Sequence, residues 1–419
     1  MATAFKEETT TDIDPFDVSR AEIWAEDRWQ EPFRQLRANH PIHKCEASKF
    51  GPYWSVSTYK PIQHIEALPK LFSSSWEVGG ITVAGDGIDK MQPGEEAFPM
   101  FIAMDPPQHS AQRRTVAPAF GPSEIERMTA DSRKRTGDLL DALPIGKPFD
   151  WVDAVSMELT TQMLAIFFDF PWEQRRDLTR WSDALGDIER FETEESRIER
   201  RTIAWEMGGA FMQLWQRKAS DPGTHDLISI MLKSDAMKHM SQQEFIGNLI
   251  LLIVGGNDTT RNSMTAYAYG LHQFPEQRAI LEENHSHELA VNAMHELIRW
   301  QTPLAHMRRT ATEDTDLFGH EIKKRDKIAL WYASGNRDET VFPDGDNVIV
   351  ERENARRHLA FGYGIHRCVG ARAAEMQLTA LIGEMQKRRL RVHVVEEPVR
   401  VAACFVHGYK SMMVELERY

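Results

Sequence analysis

The run Phe361-Gly362-Tyr363-Gly364-Ile365-His366-Arg367-Cys368-Val369-Gly370 places a cysteine directly in front of an apolar-periodic segment reaching about Lys387. A thiolate at a helix start faces unpaired backbone amides and the positive end of the helix dipole, which lower its pKa and keep it anionic. A sulfur held in this way is a metal ligand. Glycines at 362, 364 and 370 permit a tight turn whose amides point at the sulfur, and Phe361 shields it. Cys45 and Cys404 lack such surroundings and read as buried, inert side chains.

A second group able to do chemistry is Gly255-Gly256-Asn257-Asp258-Thr259-Thr260. Within a helix each glycine costs about 1 kcal/mol relative to alanine, and Asp and Thr compete for backbone hydrogen bonds. One reading is a local opening of the helix, where a ligand approaches the backbone and Asp258 beside Thr259 relays protons. The other is a tight helix crossing with a satisfied, buried Asp258. Glu296 and Arg299 lie three apart beside apolar Leu297, Ile298 and Trp300, which points to a buried pair rather than a surface pair worth under about 1 kcal/mol.

These groups need elements to position them. Ser241-Gln242-Gln243-Glu244 is a capping box opening an apolar-periodic run to about Gly270, a helix of about 43 Å that would cross the molecule. Residues 122–233 read as mostly helical, with breaks at Pro144, Pro171 and Pro222, and 1–40 as a polar lead-in with short helical pieces. Strand character is confined to 52–57, 390–394 and 412–416, and the Gly-rich apolar stretch from Val78 to Phe101 suits a cavity lining. No repeat or linker divides the chain, so residues 1–419 are expected to form a single, mainly α domain with a minor β-sheet region.

Composition narrows the partners. Fifty Lys+Arg against sixty-three Asp+Glu leave a charge of −13, which argues against nucleic acid and anionic membranes. Three widely spaced cysteines argue against a disulfide framework and for a reducing compartment. Met1 to Arg20 has no apolar core to serve as a signal or anchor, and the longest apolar stretch, Phe245 to Gly256, contains Asn248 and is too short for a bilayer of roughly 30 Å. A soluble, cytoplasmic protein without a membrane anchor is expected.

The pattern Phe-Gly-x-Gly-x-His-x-Cys-x-Gly at 361–370 resembles the haem-ligand signature of the cytochrome P450 family. Glu-x-x-Arg at 296–299 and Gly-x-Asp-Thr-Thr at 256–260 resemble two further signatures of that family, in the same order. The resemblance implies the P450 fold, a haem b cofactor and insertion of one oxygen atom of O2 into a C–H bond. It implies Cys368 as the axial ligand to haem iron, a ligation that favours O–O cleavage. It also implies Asp258 and Thr259 as proton deliverers, Arg352 as a third member of the Glu296–Arg299 pair orienting the cysteine loop, and haem contacts from Phe361, Gly362 and Gly256. His109 and Arg113, in His-x-x-x-Arg, together with Arg309 and His366, are the implied propionate partners; Arg308 stands next to Arg309 in sequence.

No C-x-x-C set or dinucleotide fingerprint is present, so electrons are expected from another protein. Between 355 and 374 lie Arg356, Arg357, Arg367 and Arg372 with no acid, a basic face expected to dock an acidic ferredoxin served by an NAD(P)H ferredoxin reductase. Segments 255–264, 302–311, 334–338 and 405–410 resemble soluble bacterial alkane hydroxylases that attack terminal carbons. That resemblance implies terminal (omega) hydroxylation of medium-chain linear alkanes or fatty acids in an apolar pocket. Ile81, Val83, Ile88, Leu252, Leu304, Met307 and Phe405 are its expected walls. Alternatives are terminal hydroxylation of a sterol or isoprenoid side chain, and a non-catalytic haem sensor or electron carrier, against which the Asp258–Thr259 pair argues.

Overall fold

The structure is a computed structural model and describes residues 14–91, 96–186, 193–221, 223 and 225–419. The expected lead-in before Asp14 and the break at Pro222 fall outside the described residues. Ser241 does cap the long helix, its hydroxyl accepting from the Glu244 N–H at 3.1 Å. The reciprocal half of the capping box is absent, because the Glu244 carboxylate accepts from Gln112 instead. The helix, Gln242–Gln273, is helical at every residue and about 48 Å long, so of the two readings of Gly255–Thr260 the unbroken helix is the one found. Thr259 Oγ1 donates to the Gly255 carbonyl at 2.8 Å, which satisfies the hydroxyl without breaking the helix.

From Asn257 to Leu271 every residue except Thr259 is buried, the mark of a helix enclosed on all sides. It packs against helices Glu158–Phe168, Arg175–Gly186, Glu194–Ser220, His287–Gln301 and Ala371–Lys387. Strands are few and short. One five-stranded sheet runs in the order Ile42–Cys45, Tyr53–Val56, Lys327–Leu330, Met307–Ala311 and Phe72–Ser73, with 53–56 parallel to 327–330 and the other neighbours antiparallel. A three-stranded sheet joins Phe149–Asp150, Met413–Arg418 and Leu390–Val394. Among the described residues no helix is long and apolar enough to cross a membrane.

The helix expected from Val369 begins at Ala371, with Val369 and Gly370 forming a turn. A buried carboxylate anchors the chain leading to that turn. Glu296 accepts from Arg299 Nε at 2.7 Å and Nη2 at 2.8 Å, from Arg352 Nε at 3.0 Å, and from the Ile349 N–H at 2.9 Å. Arg299 also donates to the Asn336, Gly345 and Asn347 carbonyls, and Arg352 to those of Pro343 and Asp344. One helix is thereby tied to the segment 336–352 by charged, fully satisfied hydrogen bonds, the condition under which a buried ionic cluster holds.

Candidate active site

The cysteine loop turns back on itself. Cys368 N–H donates to the Phe361 carbonyl at 2.7 Å, and Gly362 and Gly364 take φ of +68° and +65°. A Cβ at Gly364 would strike the Glu66 carbonyl, so this close approach requires glycine. The loop presents Cys368 to a cavity of about 580 Å³ whose walls are mostly apolar, and the exposure of the sulfur is exposure to that cavity. Burial pushes the thiol above its ordinary pKa, while the Gly370 amide, Arg113 and Arg367 pull it back. The low thiol pKa expected from the sequence is therefore not reached by the protein alone, because desolvation outweighs the amides and the cations. A bound metal ion deprotonates a coordinating thiol outright.

Across the cavity lies the central helix. Gly255 has no atom within 4 Å of where a Cβ would stand, whereas a Cβ at Gly256 would meet Leu164 Cδ2 at 2.9 Å. Both line the cavity, but Gly255 leaves it open and Gly256 admits the neighbouring helix. Asp258 is turned toward helix Arg175–Gly186. Its Oδ1 accepts from Ser182 at 2.9 Å, Asn257 at 3.2 Å and Arg261 Nη2 at 3.1 Å, and its Oδ2 lies 2.6 Å from where a Gly186 Cβ would be. Burial raises its pKa against the pull of Arg261. Arg261 reaches outward to Asp183, which is 46% exposed, at 2.6 Å. The carboxyl and the Thr259 hydroxyl are thus neighbours in sequence without a hydrogen bond between them.

Cations and imidazoles gather at the cavity edge. Arg309 donates to Glu66 at 2.9 Å, and Glu66 also accepts from the Tyr332 hydroxyl at 2.6 Å. Arg113 donates to the Arg367 carbonyl. His366 lines the cavity and His109 stands behind it, ring centroids 4.1 Å apart, with all four ring nitrogens buried and without hydrogen-bond partners. Burial pushes His109 down to about 4 and His366 to about 2, so both are neutral. Orphaned buried N–H groups beside two arginines are what a pair of carboxylates would satisfy, and a sulfur faces the same space. The donor set fits a haem with its propionates at this edge.

Ile81, Leu252, Leu304, Met307 and Phe405 line the cavity as expected walls. Val83 and Ile88 do not. Val83 packs into the core beside Trp24, Ala305 and Cys404, its N–H held by His306 and its carbonyl by Lys327, and Ile88 is 53% exposed in a short helical turn. Glu66, Tyr332, Arg261 and Ser182 are not among the residues the sequence singles out. Only Arg261 carried a signal, its spacing of three from Asp258 on one helix face. Arg356, Arg357, Arg367 and Arg372 are all exposed. Glu375 stands among them; burial raises its pKa while Arg367, Arg372 and Arg356 pull against that rise, so the face is less purely basic than the interval 355–374 suggests.

The fold and this site define a haem-thiolate class of protein, and comparison gives it a family. Residues 149–398 match the family description Cytochrome P450, and the chain belongs to that family. It is 33% identical over 403 residues to linalool 8-monooxygenase of Pseudomonas putida, covering 96% of this chain and 98% of that protein. It is 29% identical to a methyl-branched lipid omega-hydroxylase of Mycobacterium tuberculosis, covering 96% and 95%. The solved structure of CYP153D17 from Sphingomonas sp. PAMC 26605 superposes with a TM-score of 0.91 at 61% identity, covering 97% of this chain and all of that one. The protein is a P450 monooxygenase with haem b, and it works on a hydrophobic substrate with O2 and a redox partner.

Proposed function

We propose that this monooxygenase hydroxylates the terminal (omega) carbon of medium-chain linear alkanes or fatty acids. The observation that carries this reading is the cavity between Cys368 and the central helix, with Ile81, Leu252, Leu304, Met307 and Phe405 over its apolar side. A primary C–H bond is stronger than its secondary neighbours, so terminal attack depends on walls that position the chain end. The omega position in the name of one relative and the resemblance to terminal alkane hydroxylases support it.

Cys368 would hold the haem iron through its sulfur, and Arg309, Arg113, His366 and, behind it, His109 would hold the propionates. Bound haem supplies the oxidising chemistry by which one oxygen atom enters the C–H bond. Thr259 holds a hydroxyl at the cavity wall opposite Cys368, and the Asp258 carboxyl, its pKa raised by burial against the pull of Arg261, is turned to Ser182 and Arg261. Passing a proton by way of Asp258 to Thr259 requires the Asp258 side chain to leave Arg261. Glu296, Arg299 and Arg352 act structurally by fixing the cysteine loop. Electrons come from a ferredoxin docked on Arg356, Arg357, Arg367 and Arg372 and reduced by an NAD(P)H ferredoxin reductase, in the cytoplasm.

The test is titration of the ferric holoenzyme with linear alkanes, fatty acids, a branched terpenoid and a sterol, following the haem absorption band. A saturable shift with medium linear chains and none with the sterol is expected. The 33% identity to a linalool monooxygenase favours an isoprenoid side chain as the second reading, and a response to branched terpenoids alone would replace the first by the second.

A further inference from the structure

Trp331 and Tyr332 are consecutive residues that serve different cores, directly after the strand Lys327–Leu330. Tyr332 lines the haem cavity at the edge held by Glu66 and Arg309. Trp331 is fully buried with Trp24, Phe33 and Tyr53 in the core around helices Ala21–Ala25 and Gln30–Asn39. Their Cα atoms are about 3.8 Å apart, as across any trans peptide. From Trp331 the rings continue. Its centroid lies 6.1 Å from that of Trp24, the planes inclined by 20°, and Trp24 stacks on Trp29 at 5.2 Å and 7°. Phenol and indole are the ring side chains from which one electron is most easily removed, and four of them stand in one line leading away from the cavity.

Core packing accounts for buried tryptophans. It does not account for the hydrogen bonds along this line. The Tyr332 hydroxyl donates to Glu66 Oε1 at 2.6 Å, and Trp29 Nε1 donates to Asp27 Oδ1 at 3.0 Å. Between them, Trp331 Nε1 is buried with no partner among the described residues, and Trp24 Nε1 meets the Val18 carbonyl at 2.9 Å. A carboxylate takes up the proton that an oxidised phenol or indole sheds, and a backbone carbonyl, far less basic, does not. The two end rings can therefore hold an oxidised state, while the two inner rings can only pass it on. Burial pushes the Tyr332 phenol well above its usual range, so it starts protonated. Burial would also raise Asp27, but Arg400, His407 and the hydrogen bonds from Gln30 and Trp29 bring it below its ordinary value. Arg337 lies over the Trp29 ring at 4.4 Å, a cation that disfavours a second positive charge there and favours release of the indole proton to Asp27. The Asp27 side chain is 32% exposed, so the line ends one hydrogen bond from solvent.

We propose that Tyr332, Trp331, Trp24 and Trp29 form an electron conduit by which a small reductant at the surface, of the thiol or ascorbate class, discharges the haem when no substrate consumes its oxidising power. Each pass moves one electron inward. Tyr332 yields an electron to the haem and its phenolic proton to Glu66; Trp331 and Trp24 relay an electron from Trp29; Tyr332 recovers its proton, and the reductant restores Trp29. Two passes carry one unused oxygen atom to water and two thiols to a disulfide, and the two protons that the thiols release balance the two that water takes up. The chain thereby has a protective, reductant-oxidising activity beside hydroxylation. This rests on the haem cavity and not on which substrate is hydroxylated.

The test treats substrate-free holoenzyme with hydrogen peroxide, maps oxidised residues by peptide mass spectrometry and follows loss of the haem absorption band. Oxidised Trp24 and Trp29 are expected in the unaltered protein, and ascorbate is expected to suppress both that oxidation and the loss of haem. In Trp331→Phe the oxidation of Trp24 and Trp29 should be lost, Tyr332 should be oxidised instead, and ascorbate should no longer protect the haem. Tyr332→Phe, which removes a single hydroxyl, should likewise abolish oxidation of Trp24 and Trp29, and it decides if Trp331→Phe does not retain haem. A purely structural part for these rings would change haem retention without moving the site of oxidation. Trp24 and Trp29 left unoxidised in the unaltered protein, or oxidised to the same extent in the variants, or equal protection by ascorbate in all three proteins, would overturn the proposal. Bound substrate should suppress the oxidation of Trp24 and Trp29; suppression by a branched terpenoid and not by a linear alkane would sink the substrate assignment and leave the conduit standing.

Discussion

Two adjacent glycines in the central helix make opposite predictions. Gly255→Ala places a methyl in open cavity, with no atom within 4 Å. Helix propensity alone then favours the variant by about 1 kcal/mol. An unfolding entropy of about 2.1 cal/mol/K per residue makes about 0.9 kcal/mol/K for 419 residues, so the melting temperature should rise by about 1 °C. The same methyl takes the room of one CH2 from the ligand. A chain that fills the cavity loses about 0.8 kcal/mol, about fourfold in affinity. Gly256→Ala gains the same propensity but presses on Leu164 Cδ2 at 2.9 Å, and overpacking of this kind costs about 1–3 kcal/mol. Its melting temperature should stay level or fall by up to about 2 °C, with no change in preferred chain length. The assay is thermal loss of the haem absorption band together with ferric titrations over a graded alkane series. If Gly256→Ala shifted the preferred chain length and Gly255→Ala did not, the assignment of the two faces would be refuted.

Replacing Glu296 by Gln leaves Arg299 and Arg352 buried without their counter-charge; a loss of about 3–5 kcal/mol is expected. It would be seen as a sharply reduced fraction of protein carrying haem, and normal haem content would contradict the anchoring role. His306 is fully buried and held down to about 4, with Nδ1 donating to the Cys404 carbonyl at 2.8 Å. The unfolded chain takes up this proton near pH 6.5, so stability falls as pH drops through 6.5 toward 4; by pH 5 the contribution amounts to about 2 kcal/mol. His306→Gln should flatten the denaturation profile by that amount between pH 7 and 5, and an unchanged profile would exclude His306 as its source. Arg372→Glu should slow reduction by ferredoxin and weaken its salt dependence without altering alkane titrations; equal reduction rates at low and high salt in both proteins would place the docking face elsewhere.

What lies within a few residues of itself was legible in the chain. The cysteine loop, the capped central helix, the Glu296–Arg299 pair and the strands 390–394 and 53–56 all declare themselves through spacing, because turn, helix and strand periods are local properties of the backbone. Direction across the molecule did not follow. Arg308 and Arg309 are indistinguishable as letters, and the strand register, setting Arg308 opposite Ala329 and Arg309 opposite Ile328, sends one to the Val78 carbonyl and the other to Glu66 at the cavity edge. Val83 is buried beside Trp24 and Cys404 although Ile81, two residues before it, lines the cavity. Asp258 turns to Ser182 and Arg261 rather than to Thr259 because successive helix residues point about 100° apart, and Gly186 leaves room for it on a helix some seventy residues earlier. Burial, likewise, raises the thiol that local amides would lower: desolvation belongs to the whole enclosure, and no short stretch of sequence carries it.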